Sequence, residues 1–430
     1  MTATGMATKT KFKVSAMAEN LIGSEIIKLA NEITAKIKKG EQIYNLTIGD
    51  FDPHVFPIPS ILENEIIEAY HNKETNYPMA NGIERLRVAA SGFIKKYQGL
   101  EYSPDEFLIS GGARPLIYGV FRTLLDPGDK VIYPGPSWNN NHYTHLAGGS
   151  GVFIETTPED NFMPTAENLK PHIKGATLLA LCSPLNPTGT TFSKDALSAI
   201  CDLVIEENNS RDENEKPLYI LYDQIYWMLT NGDTKHYDPV SLRPELRDYV
   251  IYVDGISKAF SATGVRVGWA FGPKPIIDKM RSIISHIGAW SPKAEQVATA
   301  KFLQMEDEVD AFIMKFRRQI SDRLNGFYAG FTRLKQKGFP VECIPPEAAI
   351  YLTVRIDFRG AKTADGKVIE TMADVANYIL NEARIGLVPF YAFGSSKESP
   401  WFRLSIGTCT MDDVAGSLES LDQALSKLTF

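Results

Sequence analysis

Six polar residues in the middle of the chain stand at the ends of short apolar runs: Asn186, Asp223, Tyr226, Ser257, Lys258 and Arg266. In open α/β sheets, ligands bind beyond the carboxyl ends of the strands, so we expect these side chains to meet on one rim. A carboxylate, a lysine and an arginine together suit an anionic cofactor that contains nitrogen. A lysine attacks an aldehyde only as the uncharged amine, so a catalytic Lys258 needs its pKa lowered by burial or by cationic neighbours.

The apolar runs that carry these residues predict a parallel sheet. They begin near residues 131, 177, 218, 249 and 267 and are continuous rather than alternating in polarity. Continuous runs are typical of strands that are buried on both faces. Helical patterns separate the runs between about 105 and 275, so the sequence predicts a doubly wound α/β domain.

The two ends of the chain predict helices around a second unit. Apolar residues recur at helical spacing early in the chain, at Ile22, Ile26, Leu29, Ile33 and Ile37. Gly40 is placed to end that helix, and Thr410 with Asp413 predicts the capped start of another. We predict an N-terminal arm and helix at 1–50 that joins a small C-terminal domain at 301–430. The large cofactor-binding domain would span 51–300.

Two polar stretches lie between the predicted elements. The charged segment at 206–217 is predicted to be a solvated loop, and the segment at 359–368 is predicted to be an exposed turn.

The charge and the composition exclude several classes of protein. The 430 residues contain 45 Lys and Arg against 52 Asp and Glu, a net charge of −7, which argues against nucleic acid as a partner. No apolar run approaches the roughly 18 residues of a membrane span. The four cysteines and seven histidines show no metal spacing, so we expect no metal and a reducing compartment, the cytoplasm.

Eight segments between about 46 and 407 resemble, in order, the motifs of class I/II aminotransferases, which are pyridoxal-phosphate-dependent enzymes of the aspartate aminotransferase fold. The segments are LTIGDFDPHVFP, NYPMANGIERLRVA, ISGGARPL, YPGPSW, SPLNPTG, YDQIY, DGISKAFSATGVRVGW and WFRLSIG. The resemblance implies an α/β protein of fold type I, with a mainly parallel mixed sheet in a large domain and a smaller α/β domain. It also implies pyridoxal 5′-phosphate as the cofactor.

The resemblance assigns the residues around the cofactor ring. Lys258 matches the lysine that forms the internal aldimine and later moves the substrate α-proton. Asp223 matches the aspartate that pairs with the pyridine nitrogen and keeps the ring protonated. Tyr226, with Asn186 alongside, matches the tyrosine that donates to the phenolic oxygen of the ring. Trp138 matches the aromatic residue that stacks on the ring face.

The remaining assignments concern the phosphate, the substrate and a second subunit. The backbone amides of Ala113 and Arg114 at a helix start, together with Ser257 and Arg266, match the phosphate-binding groups. Four residues match the substrate-binding set: Gly49, Trp138, Asn186 and Arg403. Of these, Arg403 would hold the α-carboxylate in a bidentate pair. Tyr77 matches a tyrosine that reaches the phosphate of the partner subunit, so the resemblance implies a homodimer with shared active sites.

Three positions depart from the family pattern. Gln224 replaces the usual glutamate, but that position is not a ligand in the pattern. Pro389-Phe390 stands where Pro-Gly is usual, and we expect it to reshape a loop near the substrate. Arg114 stands where small residues are common. Two orientations of its side chain are open: into the pocket, where it would favour an acidic substrate, or towards solvent.

The predicted reaction is transfer of an amino group from an amino acid to a 2-oxo acid by a ping-pong mechanism. The alternative on the same cofactor is a lyase that carries out β-elimination across a C–S bond, because the lysine, aspartate and arginine serve both reactions. A transcription regulator with an aminotransferase-like domain is not expected, since the chain is acidic and one amphipathic helix precedes LTIGD. The sequence leaves the donor amino acid open.

Overall fold

The computed structural model describes residues 13–21, 23 and 25–430. The helices in this part of the chain are α1 Ala16–Glu19, α2 Glu25–Lys38, α3 Ser60–His71, α4 Glu84–Gln98, α5 Ala113–Leu124, α6 Asn140–Ala147, α7 Ala166–Ile173, α8 Lys194–Asn209, α9 Pro239–Leu242, α10 Ile256–Ala259, α11 Lys274–His286, α12 Lys293–Leu303, α13 Glu306–Gln336, α14 Met372–Glu382 and α15 Met411–Leu425.

The strands of the described residues form three sheets. They are β1 Tyr44–Asn45, β2 Phe107–Ser110, β3 Lys130–Gly135, β4 Ser150–Glu155, β5 Ala176–Cys182, β6 Tyr219–Asp223, β7 Val250–Gly255, β8 Gly268–Phe271, β9 Val341–Cys343, β10 Tyr351–Ile356, β11 Ile385–Gly386, β12 Val388–Pro389 and β13 Trp401–Ser405.

The largest sheet has seven strands in the order β2-β8-β7-β6-β5-β3-β4. All neighbours from β7 to β4 pair in parallel, whereas β8 is antiparallel to both β2 and β7. The five strands that the sequence predicts are therefore confirmed, and so is the mainly parallel sheet. Strands β2 and β4 were not among the predicted runs.

Both faces of this sheet are buried, as the continuous apolar runs predict. In β5, Leu178 and Ala180 belong to the core that lies under α5 and α11. The alternate residues Leu179 and Leu181 belong to the core on the opposite face, with α4, α8 and α12. Successive side chains of a strand point to opposite faces, so a strand without polar positions requires helices on both sides. This arrangement is the doubly wound architecture.

The C-terminal part of the chain builds a second sheet with the order β12-β13-β10-β9. The 31-residue helix α13 and the capped helix α15 pack beside it. The N-terminal segment also joins this unit, because β1 pairs in parallel with β11. Leu46 and Phe51 lie in the same apolar core as residues of α13 and α15. The division of the chain at residues 50 and 300 stays a prediction.

Helix α2 agrees with the predicted amphipathic segment, although Ile22 lies outside the described residues. The helix ends at Lys38, and Gly40 follows with a positive φ of 90°. Ile33 is fully buried, whereas Ile37 is exposed. At the other end of the chain, Thr410 and Asp413 form the predicted capping box. No helix of the described residues is long and apolar enough to cross a membrane.

The predicted loop at 206–217 is wrong over its first residues. Helix α8 continues to Asn209, and the loop begins after it. Glu207 and Arg211 form an ion pair of 2.8 Å with side chains only 10% and 8% exposed. Arg211 also donates to the carbonyl of Ala176 at the start of β5. The many charged residues of this segment are typical of a solvated loop, but Arg211 is buried by its contact with Ala176, which is distant in sequence. The turn at 359–368 is confirmed between β10 and α14.

Candidate active site

The ends of β5, β6 and β7 meet at one rim of the large sheet. Cys182, the last residue of β5, pairs with Asp223, the last residue of β6. The short helix α10 follows β7 directly and carries Lys258. A cavity of about 590 Å³ opens at this rim, and Arg403 of β13 reaches it from the second sheet. The strand order therefore brings residues from distant parts of the sequence to one site.

Eleven of the twelve predicted site residues line this cavity. They are Gly49, Ala113, Arg114, Trp138, Asn186, Asp223, Tyr226, Ser257, Lys258, Arg266 and Arg403. The exception is Tyr77, which is 81% exposed and packs its ring 5.2 Å from that of Trp290. The structure therefore places Tyr77 outside the cavity of its own chain.

Lys258 has the lowered pKa that an attacking amine requires. Burial lowers its pKa to about 8, and the nearby carboxylate of Asp50 partly opposes this shift. Three guanidinium groups lower the pKa further by repulsion: Arg403, Arg114 and Arg266. The amine donates a hydrogen bond of 2.7 Å to the carbonyl oxygen of Gly49. With a pKa of about 8, roughly a tenth of this lysine is uncharged at pH 7 and about half at pH 8.

Asp223 is a half-buried carboxylate without a counter-charge in the described residues. Burial raises its pKa to about 6, and a hydrogen bond from the backbone N–H of Ile225, 3.1 Å long, works in the opposite direction. No lysine, arginine or histidine of the described chain forms a salt bridge with it. A buried carboxylate is stable when it is paired with a cation. A protonated heterocyclic nitrogen in the cavity would supply that partner.

Arg403 is a buried cation that also lacks an ionic partner in the described residues. It is 2% exposed and donates to the side-chain oxygen of Asn186 at 3.0 Å and to the carbonyl of Thr47 at 2.6 Å. Its Nε atom has no hydrogen-bond partner. Uncharged acceptors thus fix the guanidinium and leave its charge uncompensated. A ligand carboxylate would complete this site.

Another part of the cavity lining combines a helix start with a second fixed arginine. Ala113 and Arg114 form the first turn of α5, where backbone N–H groups have no partner within the helix. Arg266 donates to the carbonyls of Gly111 and Thr263, each at 2.6 Å. A Cβ on Gly112, whose φ is 95°, would fall 2.1 Å from the Arg266 guanidinium. Glycine is therefore required for this close approach, and this part of the lining suits a phosphate.

Two hydrogen-bonded tyrosines line the cavity. The hydroxyl groups of Tyr226 and Tyr351 are 2.6 Å apart, and both side chains are buried. The ring of Tyr351 also packs 4.8 Å from the Arg403 guanidinium. A Cβ on Gly49 would lie 2.8 Å from the Tyr351 hydroxyl, so a larger residue at this position would displace the tyrosine.

Several residues that line the cavity are not among the residues predicted from the sequence. Tyr351 and Asp50 contribute polar groups, and Ile26 and Ala30 of α2 contribute apolar wall. Asp50 lies within the LTIGD motif, so the motif itself contained a signal for it. No local pattern marks Tyr351, because it reaches the cavity from the start of β10 in the second sheet.

Two of the three departures from the family pattern lie outside the cavity lining. Gln224 is fully buried and donates to the side-chain oxygen of Gln98. Phe390 is also fully buried and packs 5.3 Å from the ring of Phe162. Arg114 does line the cavity, and its guanidinium lies 4.3 Å from the centre of the Trp138 ring.

The donor set of the cavity fits pyridoxal 5′-phosphate, part by part. Arg266 and the start of α5 suit its phosphate, Asp223 suits its ring nitrogen, and Lys258 suits its aldehyde. The uncompensated charges of Asp223 and Arg403 give independent support, because each requires a partner that the described chain does not contain. With the doubly wound sheet, this set defines the class of protein, the fold type I pyridoxal-phosphate-dependent enzymes.

Comparison with known proteins gives the family. The model of aminotransferase class I and II matches residues 41–421. A probable aspartate/prephenate aminotransferase of Rickettsia felis is 31% identical over 400 residues, which cover 92% of this chain and 90% of that protein. An aspartate aminotransferase of Geobacillus stearothermophilus is also 31% identical, over 404 residues that cover 92% of this chain and 94% of that protein.

Solved structures agree with the sequence comparisons. The crystal structure of an aspartate aminotransferase from Rhizobium meliloti superposes with a TM-score of 0.88 at 27% identity, covering 97% of this chain and all of that one. The enzyme of Thermus thermophilus with maleate gives a TM-score of 0.84 at 26% identity, covering 96% of this chain and all of that one.

This chain belongs to the class I and II aminotransferases and depends on pyridoxal phosphate. The comparisons do not favour the lyase alternative.

Proposed function

We propose that this enzyme transfers the amino group of an amino acid to a 2-oxo acid in two half-reactions, with Lys258 as the catalytic base and acid. The observation that carries the proposal is the buried Lys258 amine, whose pKa of about 8 allows it to hold or release a proton near neutral pH. The bound cofactor supplies an electron sink for the electrons left at the substrate α-carbon. Lys258 would take the α-proton from the first substrate and return it to the second.

Four residues would hold the ring of the cofactor in place. Asp223 would keep a proton on the ring nitrogen, because its carboxylate has no other cation to pair with in the described chain. Tyr226 and Asn186 would donate to the phenolic oxygen, and Trp138 would stack against the ring face. The lining of one cavity by all four side chains supports these roles.

The phosphate would bind where α5 begins. The backbone amides of Ala113 and Arg114, the hydroxyl of Ser257 and the guanidinium of Arg266 would be its donors. Arg403 would hold the substrate α-carboxylate, with Gly49 beside it. The free Nε of Arg403 and its lack of an acidic partner in the described residues support that role.

Aspartate is the proposed amino donor. The relatives compared above are called aspartate or aspartate/prephenate aminotransferases. The cavity has the cationic character that a dicarboxylic substrate requires, since four basic side chains line it: Arg114, Lys258, Arg266 and Arg403.

We also propose a homodimer in which Tyr77 completes the phosphate site of the partner subunit. The strong exposure of Tyr77, outside its own cavity, supports this proposal. The test mixes two inactive variants, Lys258→Ala and Tyr77→Ala, under conditions that exchange subunits. If Tyr77 acts across the interface, each mixed dimer contains one intact site, and about a quarter of all sites regain activity. Absence of any recovery after confirmed exchange would contradict the shared site.

The cytoplasm is the proposed location. All four cysteines are free thiols in the structure, which supports a reducing compartment.

Lys258 can be tested directly by fixing the cofactor to the protein. Borohydride reduction of the holoenzyme, followed by digestion and mass spectrometry, should place the cofactor on the peptide that contains Lys258. Lys279 is an exposed lysine and serves as the internal control. Modification at Lys279 or at another lysine, with Lys258 unmodified, would contradict the proposal.

A further inference from the structure

A second carboxylate, Asp254, is buried near the end of β7 and does not line the cavity. It is 1% exposed. Val253 belongs to the apolar core under α5 and α11, whereas Tyr252 belongs to the core on the opposite face of the sheet. Because side chains alternate along a strand, Asp254 points to the same face as Tyr252. It can therefore influence the reaction only through other residues.

The two oxygens of Asp254 accept hydrogen bonds from two different segments. Oδ1 accepts from the backbone N–H of Gly255 at 2.7 Å, and Oδ2 accepts from the indole Nε1–H of Trp227 at 2.8 Å. Gly255 directly precedes α10, which carries Lys258. Trp227 directly follows Tyr226. One carboxylate thus joins the segment of the proposed base to a segment that lines the cofactor site.

The segment that ends at Trp227 is short and closed by its own hydrogen bonds. The carboxylate of Asp223 accepts from the backbone N–H of Ile225 at 3.1 Å, and the carbonyl of Gln224 accepts from the backbone N–H of Trp227 at 2.9 Å. The indole is buried and packs 5.9 Å from the ring of Phe93. A displacement of the indole would therefore be passed on to the cofactor-binding side chains of this segment.

A carboxylate is costly at the position of Asp254. Its cross-strand neighbour is Trp269, and both Trp269 and Trp227 belong to the apolar core. Burial raises the pKa of Asp254 to about 7, the two N–H donors oppose this shift, and the charge of Asp223 adds to it. An apolar side chain would avoid the cost of burying a charge. Buried polar groups with all their partners make a core rigid and unique, which is the property that a reaction centre requires.

We propose that Asp254 is a positioning residue that fixes the amine of Lys258 relative to the cofactor ring. This inference rests on the proposed function, in which Lys258 moves the α-proton and Tyr226 holds the ring. The hydrogen bonds to Gly255 and Trp227 keep the two segments in register. Loss of this bridge lets the amine drift from the substrate α-carbon, and a displacement of about 1 Å can lower a rate by about 100-fold.

The test follows the half-reaction of the holoenzyme with saturating aspartate by stopped-flow absorbance, using normal aspartate and aspartate deuterated at the α-carbon. Asp254→Asn keeps the size of the side chain but leaves one acceptor oxygen, and Trp227→Phe removes the indole donor. Each variant should react about 10- to 100-fold more slowly, with a deuterium isotope effect at least as large as that of the unmodified enzyme. Half-saturation by aspartate should stay nearly unchanged, because Arg403 is anchored on other segments.

The first-order rate constant does not depend on the folded fraction, so this readout separates positioning from a loss of stability. The double variant Asp254→Asn, Trp227→Phe should be no slower than the slower single variant, because both changes remove the same hydrogen bond. Asp238→Asn is the matched control. Asp238 is also a buried carboxylate outside the cavity lining, and it accepts from the backbone N–H of Ser241 and the hydroxyl of Tyr252. Its substitution should change neither the rate constant nor the isotope effect.

Several results would overturn the inference. Unchanged rate constants in both single variants would show that the bridge does not position the amine, while the proposed function would stand. An isotope effect that falls towards one would place the slowed step elsewhere. Rate losses that multiply in the double variant would show that Asp254 and Trp227 act independently, and an equal loss in Asp238→Asn would reflect a general loosening of the core. If the unmodified enzyme forms no oxo acid from aspartate, the proposed function fails and the inference fails with it.

Discussion

The hydroxyl group of Tyr351 lies 2.6 Å from the hydroxyl group of Tyr226. Each phenol has one proton to donate. If Tyr226 donates its proton to the phenolic oxygen of the cofactor, the proton between the two tyrosines must come from Tyr351. Tyr351 then acts as a positioning residue, because its hydrogen bond polarises Tyr226 and makes it a stronger donor. A residue of the second sheet thereby influences the cofactor without needing to touch it.

Tyr351→Phe should raise the pH midpoint of the cofactor absorbance change. Without Tyr351, Tyr226 would be a weaker donor and would stabilise the negative charge on the phenolic oxygen of the cofactor less. The proton shared between this oxygen and the nitrogen of Lys258 would then be lost only at a higher pH. The shift should be on the order of a few tenths of a pH unit to one unit. A spectroscopic pH titration of the holoenzyme measures it. Tyr378→Phe, which removes a hydrogen bond to the carbonyl of Ala424, is the control. An unchanged midpoint in Tyr351→Phe would refute the relay.

Lys258→Ala should abolish turnover while the fold is retained. The substitution removes the amine that would move the α-proton, and such proton transfers contribute factors of about 10² to 10⁴ in rate. Steady-state assays with an amino acid and a 2-oxo acid measure the loss, and circular dichroism checks the fold. Lys279→Ala should retain full activity, because that side chain is exposed. Turnover within tenfold of the unmodified enzyme would rule out the assigned role.

Arg403→Ala should weaken substrate binding far more than cofactor binding. The substitution removes a buried guanidinium and leaves Asn186 and Thr47 without their donor. Loss of a charge-assisted bidentate pair should raise KM for the amino acid by about 10- to 100-fold or more. KM and the cofactor dissociation constant are measured side by side, with Arg318→Ala as the surface control. A larger effect on the cofactor than on the substrate would move Arg403 out of the carboxylate site.

Asp223→Asn should stabilise the cofactor-free protein at neutral pH. Burial raises the pKa of Asp223 from 3.8 to about 6, so the folded state binds its proton more tightly than the unfolded state does. Ionisation of Asp223 therefore lowers the free energy of unfolding. This loss is absent below about pH 4, grows between pH 4 and pH 6, and reaches at most about 3 kcal/mol at higher pH. Asparagine cannot ionise, so the variant should not lose this stability at neutral pH.

Urea unfolding of both apoproteins at pH 4 and at pH 7.5 measures this difference. The stability of Asp223→Asn relative to the unmodified chain should rise between the two pH values. Cofactor binding should weaken in the same variant, because the partner of the ring nitrogen is lost. If the free energies of unfolding of Asp223→Asn and the unmodified chain differ by the same amount at both pH values, ionisation of Asp223 is not the cause of the difference.

The sequence predicts those parts of the fold and site that depend on local pattern. The polar residues at the ends of β5, β6 and β7 are predictable because parallel strands bring their carboxyl ends to one edge of the sheet. Strand β4 is missed because it lies at the edge of the sheet and is largely exposed, so it lacks a continuous apolar run. Tyr351 is missed because its contact with Tyr226 spans 125 positions. The pair between Glu207 and Arg211 is missed because buried and solvated charges look alike in a sequence.

Transfer of the amino group can be measured in a single half-reaction. The holoenzyme is mixed with aspartate in the absence of any 2-oxo acid, and the cofactor absorbance and the released products are followed together. We expect loss of the absorbance band, one equivalent of oxo acid per site and no free ammonia, followed by recovery of the band when a 2-oxo acid is added. Continuous release of ammonia and oxo acid without an acceptor would contradict it.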